Sequence, residues 1–253
     1  MPALHPLCCG RLAFDRSVFF PDAAPGVRTT VPVPGFLVIH PKGTLLFDTG
    51  VACEAADDPV GVLGKRLAST FTLAGAADET APGQLGLMGL KPEDISFVAN
   101  SHLHFDHCGC NRWFPRSQIL VQRAEMEAAR APGSRHDERL WNLPLNWRLI
   151  DGEHDVFGDG SVLLVPTPGH TPGHQSLVVQ VAKDSRFVLT ADACYSAEHM
   201  ARDLLPSVVA DAAQMRESMH RLRRMGEQAG TTLLFGHDPE QWAALGAARQ
   251  ALR

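Results

Sequence analysis

Four side chains able to bind a metal crowd into six residues: His102, His104, Asp106 and His107, within Ser101-His102-Leu103-His104-Phe105-Asp106-His107. In a packed core such a cluster would be costly, because each imidazole or carboxylate buried without a partner forfeits about 1–3 kcal/mol or more. In a turn after a buried strand, the same four can converge on divalent cations whose charge compensates them. Zinc accepts His nitrogen and Asp oxygen, and a catalytic zinc site keeps one position for water. Four donors at this spacing exceed what one open site uses, which points to two ions. Scattered surface histidines are the competing reading.

Three later residues complete the set. His170 lies in the rigid turn Pro168-Gly169-His170-Thr171-Pro172-Gly173-His174, Asp192 follows the apolar run Phe187–Thr190, and His237 follows Thr232–Phe235. Singly, each reads more readily as structural. Their shared position just after apolar strands, on what can be one rim, joins them to the His-rich run. His174 reads as a turn or supporting residue. His5, His40, His136, His154, His199 and His220 have no ligand spacing and read as surface or packing residues. Phe19, Phe20 and Phe71 suit either an acyl-chain pocket or the core.

The elements that must position these residues are short strands with helices between them. Leu12–Phe14, Val31–Ile39, Thr44–Phe47, Ile95–Ala99 and Ile119–Val121 read as strands, with Pro32 and Pro34 marking an edge strand or strand entry. Asp57–Glu79 is less regular, and Pro82-Gly83 marks a turn before Gln84–Leu90. Ala124–Arg130 has helical composition. Val162–Val165, Leu177–Val181, Phe187–Leu189 and Leu233–Phe235 are further strands. Asp211 with Gln214 fits a capping box; Met215, Met219 and Leu222 give the helical stripe, and Gly230 the stop. The order argues for a layered α/β domain.

Composition narrows the function classes. The 253 residues are 45% hydrophobic, with twelve His and one Tyr, and 23 basic against 28 acidic residues leave a net charge of −5. Nucleic acid is thereby disfavoured. No apolar stretch approaches the roughly 20 residues of a membrane span. The N-terminus lacks a basic region and a long apolar run, so the expectation is no signal peptide and a cytoplasmic location. The six Cys, at 8, 9, 53, 108, 110 and 194, read as small buried thiols of a reducing compartment. Cys108 and Cys110 have weak spacing for accessory metal ligands. No linker divides the chain, so residues 1–253 are read as one domain.

The ordered set His102-x-His104-x-Asp106-His107, His170, Asp192 and His237 resembles the ligand pattern of the metallo-β-lactamase superfamily. More narrowly, Ser101–His107, Gly169–Leu177, and Asp192-Ala193-Cys194-Tyr195 resemble the N-acyl-homoserine lactonases, over almost the whole chain and including Asp48-Thr49-Gly50. Cys110 departs from the pattern, since many members have Gly there. The resemblance implies an αββα sandwich, with two mixed sheets face to face and the metals on one edge. It also implies two divalent metal ions, taken as Zn²⁺. His102, His104 and His170 would hold one, Asp106, His107 and His237 the other, and Asp192 would bridge them. Asp48 would orient a ligand, a plain strand-ending turn being the competing reading.

The implied reaction is the opening of an N-acyl-L-homoserine lactone (quorum quenching) by a metal-bridging hydroxide. Tyr195 is the candidate oxyanion donor, with a buried structural Tyr as the alternative, and Asp106 the proton carrier. Rival readings are a hydrolase of another lactone or of a hydroxyacylglutathione-type thioester. A β-lactamase is disfavoured by Asp192 and the absence of an export signal. A flavodiiron-type redox protein usually carries Glu where His104 stands, plus a flavin domain. A non-catalytic metal-binding protein is disfavoured by the complete ligand set. The expected partner is a small lactone, with neither nucleic acid nor membrane, and the chain a monomer or homodimer.

Overall fold

The computed structural model describes residues 1–246 and 251–252. The chain begins with β1 (Ala3–Asp15), β2 (Arg28–His40), β3 (Gly43–Phe47), α1 (Pro59–Thr70), β4 (Thr72–Leu73), α2 (Ala81–Leu87) and β5 (Phe97–Ala99). It continues through β6 (Gln118–Gln122), α3 (Arg123–Arg130), α4 (Glu138–Trp141), β7 (Asn146–Ile150), β8 (His154–Asp155), β9 (Val162–Pro166) and β10 (Gln175–Ala182). β11 (Ser185–Ala191), α5 (Ala197–Arg202), α6 (Ala212–Gly226), β12 (Thr231–Phe235) and α7 (Pro239–Gly246) complete it.

The strands form a seven-stranded sheet, β4-β1-β2-β3-β5-β6-β7, and a five-stranded one, β12-β11-β10-β9-β8. Alternation along each strand decides what lies between them, because successive side chains point to opposite faces. Leu45 and Phe47 of β3 meet Leu177 and Val179 of β10 in one core between the sheets. Leu46 points the other way, into a cluster with Ala81 and Leu85 of α2. Val178 of β10 likewise packs outward with Met219 and Leu222 of α6. The layers are therefore helix, sheet, sheet, helix, as the resemblance implied.

Both sheets are mixed. β3, β5, β6 and β7 run parallel, as do β11 and β12, while the other pairs are antiparallel. Parallel strands end on the same rim, and in such sheets ligands bind outside the carboxyl ends. Asp48 follows β3, Asn100-Ser101-His102 follows β5, Asp192 follows β11, and one residue separates β12 from His237.

Every strand expectation but one falls within an observed strand: Ile95–Ala99 is a strand only from Phe97, because Ile95 caps the helical turn Pro92–Asp94. Four further local readings need correction. Pro32 and Pro34 lie in a strand flanked on both sides, not at a sheet edge. They are tolerated because β3 pairs only from Phe36 onward, and β1 is bulged opposite them between Cys8 and Arg11. The irregular stretch holds α1, whose pattern Gly64 disrupts by adopting φ +77 in a kink. The Pro82-Gly83 turn is the first turn of α2, with Thr80 as its cap and Pro82 where no N–H is needed. α6 begins as read, Asp211 accepting from the N–H groups of Ala213 and Gln214, but it ends at Gly226 before Gly230.

Candidate metal centre

The His-rich segment is held by a buried acid from another strand. Asp48 Oδ1 accepts from Ser101 N (2.7 Å), and Oδ2 accepts from Ser101 Oγ (2.7 Å) and His107 Nδ1 (2.9 Å). Asp48 itself has φ +60, a left-handed conformation that Asp adopts more readily than most residues. A carboxylate on Nδ1 places the His107 proton there and leaves Nε2 bare. His237 Nδ1 donates to Pro32 O (2.8 Å) and His170 Nδ1 to Val208 O (3.1 Å), which leaves their Nε2 atoms bare as well. Ser101 Oγ gives its proton to Asp48 and accepts from His102 Nδ1 (3.0 Å), so His102 Nε2 is a fourth bare nitrogen.

Those nitrogens converge in two groups. His102 Nε2 and His170 Nε2 lie 3.0 and 2.9 Å from His104 Nδ1. The Nε2 atoms of His107 and His237 each lie 3.8 Å from Asp106 Oδ2. Asp192 stands between the groups. Its Oδ1 is 3.2 Å from His107 Nε2 and 3.1 Å from His237 Nε2, and its Oδ2 is 3.3 Å from His170 Nε2 and 3.8 Å from His102 Nε2. All seven side chains the sequence singled out as donors thus meet at one place.

The chemistry of this set fits two divalent ions. His107 Nε2, His237 Nε2 and Asp192 Oδ1 are buried without a hydrogen-bond partner, although they face one another. Lone pairs gathered so closely repel unless a cation lies among them. Two of the triads competent to hold an ion are His102–His104–His170 and Asp106–His107–His237. Cys108 and Cys110 belong to no such group among the described residues.

His174 supports the centre from outside. Its Nε2 accepts from Asp192 N (3.1 Å), while Nδ1 meets Thr167 Oγ1 (2.9 Å). Burial brings its pKa down to about 3, as befits a neutral acceptor. Ala191, just before Asp192, has φ +44, so the bridging-type carboxylate is delivered by a strained turn.

Tyr195 is buried, its ring 4.3 Å from Phe19 and its hydroxyl 3.5 Å from His170 Nδ1. Burial and then the Asp192 carboxylate push its pKa well up, so the phenol keeps its proton and can donate it. A cleft opens over the centre, with Asp106, Asp192 and Tyr195 among the residues that line it. Phe19, Leu67, Phe71 and Phe105 form apolar wall, with Arg66 and Arg135 beside them. Phe20 instead packs against His199.

One residue went unread in the sequence. Glu125 of α3 is fully buried and accepts from Leu103 N (2.9 Å), Gly173 N (3.1 Å) and His136 Nε2 (2.9 Å). It therefore ties together the two segments that carry His102–His107 and His170. Burial alone would raise its pKa, but the His136 bond leads the contacts that hold it below the ordinary value. Gly173 matters here because a Cβ there would lie 2.0 Å from Glu125 N. His136 also packs on His104, ring centres 5.1 Å apart. Nothing at Glu125 distinguishes it in sequence from a solvated helix acid; only α3's docking under both loops does.

Residues 28–237 match the family model of the Metallo-beta-lactamase superfamily. The N-acyl homoserine lactonase AttM of Azorhizobium caulinodans is 36% identical over 226 residues, 86% of either chain. The N-acyl homoserine lactonase AiiA of Bacillus thuringiensis subsp. kurstaki is 32% identical over 239 residues, 94% of each. Among solved structures, an N-acyl homoserine lactone hydrolase with N-hexanoyl-L-homoserine product bound at its catalytic metal centre superposes with a TM-score of 0.88. It is 29% identical, over 99% of this chain and 98% of that one.

Proposed function

Because the chain belongs to the metallo-beta-lactamase superfamily and, within it, to the N-acyl homoserine lactonases, we propose that it hydrolyses N-acyl-L-homoserine lactones to N-acyl-homoserines. The observation that carries the reading is Asp192, with one oxygen turned to each triad. His102, His104 and His170 would hold one ion, Asp106, His107 and His237 the other, and Asp192 both. Zinc suits these imidazole and carboxylate donors. Two such ions would supply hydroxide near neutral pH and polarise the lactone carbonyl.

The chain's own groups do the rest. The apolar wall of Phe19, Leu67, Phe71 and Phe105 takes the acyl chain and orients the ring toward Asp106 and Asp192. Tyr195, kept protonated, donates to the carbonyl oxygen as negative charge develops there, a contribution of about 2.7–4 kcal/mol for comparable donors. Asp106, which lines the cleft, takes the proton of the newly added hydroxyl and passes it to the ring oxygen as the C–O bond breaks.

We place the protein in the cytoplasm, where cysteines are kept as thiols. We read residues 1–253 as one hydrolase domain. No described helix is long and apolar enough to cross a membrane. A pH-indicator assay across acyl-homoserine lactones of several chain lengths, aromatic lactones and a glutathione thioester tests the substrate class. Acyl-homoserine lactones should lead. A tenfold preference for the thioester would overturn the assignment.

A further inference from the structure

On the face of the seven-stranded sheet that packs against α2, two thiols 57 residues apart in sequence approach each other. Cys53 Sγ and Cys110 Sγ are 2.6 Å apart, closer than ordinary non-bonded sulfurs and not yet at the about 2.05 Å of a bond. Cys53 opens the short turn Cys53–Ala56 before α1, and Cys110 follows the His-rich loop by three residues. Cys110 Sγ also lies 3.1 Å from Val51 O, which fixes its direction. Of the six cysteines, Cys53 alone is partly exposed and the other five are buried. A metal is not what this pair is built for, since neither cysteine joins any three-donor group among the described residues.

We infer that Cys53 and Cys110 form a reversible disulfide, a modification site outside the metal centre through which a hydroperoxide acts on the protein. In the first step the Cys53 thiolate attacks one peroxide oxygen; the O–O bond breaks, giving Cys53 sulfenic acid and an alcohol, or water from hydrogen peroxide. Cys110 sulfur then attacks Cys53 sulfur, the S–S bond forms, and water leaves with the hydroxyl and the Cys110 proton. Two thiols lose two electrons and two protons in total, and the peroxide gains them. A dithiol reverses the change by exchange.

The division of labour follows from the surroundings. Cys53 is only partly buried, and the hydrogen bond from Cys110 is the leading cause that holds its pKa below the ordinary thiol value. Burial pushes Cys110 well up, and it pushes Cys8 to about 11 and Cys194 to about 12. Thiolate character and access thus coincide at Cys53 alone, with Cys110 behind it to resolve the sulfenic acid. The closed ring runs from residue 53 to 110, so it contains α1, which lines the cleft, and the segment His102–His107. Closing a loop that long removes much freedom from the unfolded chain. This inference does not depend on which lactone is the substrate.

The test uses the metal-loaded protein, treated with a few equivalents of hydrogen peroxide, quenched and digested without reductant. The expected result is one linked peptide pair joining Cys53 to Cys110, four thiols titrating after denaturation, and recovery of six with dithiothreitol. The oxidised protein should melt on the order of 5 °C higher or more. C53S should keep all five of its thiols through the same treatment, whereas C110S, which lacks the resolving thiol, should titrate four and carry Cys53 as sulfenic or sulfinic acid. Reduced C53S should retain wild-type activity, since Cys53 touches neither the donors nor the cleft. Six thiols surviving in the wild type, a link between any other pair, or Cys53 sulfinic acid beside free Cys110 would each overturn the assignment, whether or not the variants fold.

Discussion

Replacing Asp48 by Asn removes one charge and one acceptor from beneath the metal centre while leaving the backbone undisturbed. Asp48 sits at φ +60, and Asn is among the few residues that accept this conformation readily. The carboxylate receives three hydrogen bonds, from Ser101 N, Ser101 Oγ and His107 Nδ1. An amide offers one oxygen. Placed at Oδ1 it keeps Ser101 N and turns its NH₂ on Ser101 Oγ and His107 Nδ1; placed at Oδ2 it keeps those two and turns its NH₂ on the Ser101 N–H. One arrangement displaces His107 and the other breaks the backbone bond. If His107 turns tautomer, its proton moves to Nε2, the atom aimed at the centre. A charge-assisted bond of this kind contributes about 1.5–3 kcal/mol, and losing such a supporting partner weakens metal binding by about 10–100-fold. Competition with a chelator of known affinity measures this directly, with thermal melting of the metal-loaded protein as the control for folding. D48A should be worse than D48N, because a left-handed Ala adds roughly 1–2 kcal/mol of strain. Equal chelator resistance of D48N and wild type would refute the claim that Asp48 sets the His107 tautomer.

Other outcomes follow from the same geometry. Tyr195→Phe should lower kcat by about 10²–10³-fold with unchanged metal content; full activity would remove the phenol from the reaction. Glu125→Gln should lower Tm by about 4–8 °C, from the loss of about 2 kcal/mol in charged hydrogen bonds, and an unchanged Tm would show that the two loops are held otherwise. Because the folded Glu125 pKa lies below its ordinary 4.5, its stabilisation is present above that value and is lost as pH falls through the folded pKa. The Tm gap between wild type and E125Q should therefore narrow in acid. Phe71→Ala should cut kcat/KM for decanoyl-homoserine lactone roughly tenfold and cost the butanoyl substrate less, since a longer chain buries more surface against the apolar wall; equal losses would place the chain elsewhere.

The donors were legible because a buried strand followed by His102, His104, Asp106 and His107 has few physical uses. The later strands showed the same habit of ending at a ligand-type residue. Asp48 was visible as an acid in a strand-ending turn, though only the fold shows which imidazole it meets. Glu125 and His136 were not legible, because their role depends on α3 lying under two loops far apart in sequence. α1 was hidden by the Gly64 kink, and the interior position of Pro32 and Pro34 by a bulge in the neighbouring strand. The close approach of Cys53 to Cys110 had no local signal at all. What sequence withheld was set by tertiary contact rather than by residue type.

The central claim is that one carboxylate, Asp192, joins two triads into a single two-ion centre. Metal-free protein titrated with zinc, with bound metal and N-acyl-homoserine lactone hydrolysis measured on the same samples, tests it most directly. Activity should plateau at two ions per chain, and Asp192→Ala should lose tight binding of both. Full hydrolysis by metal-free protein, or a plateau at one ion with Asp192→Ala unaffected, would contradict it.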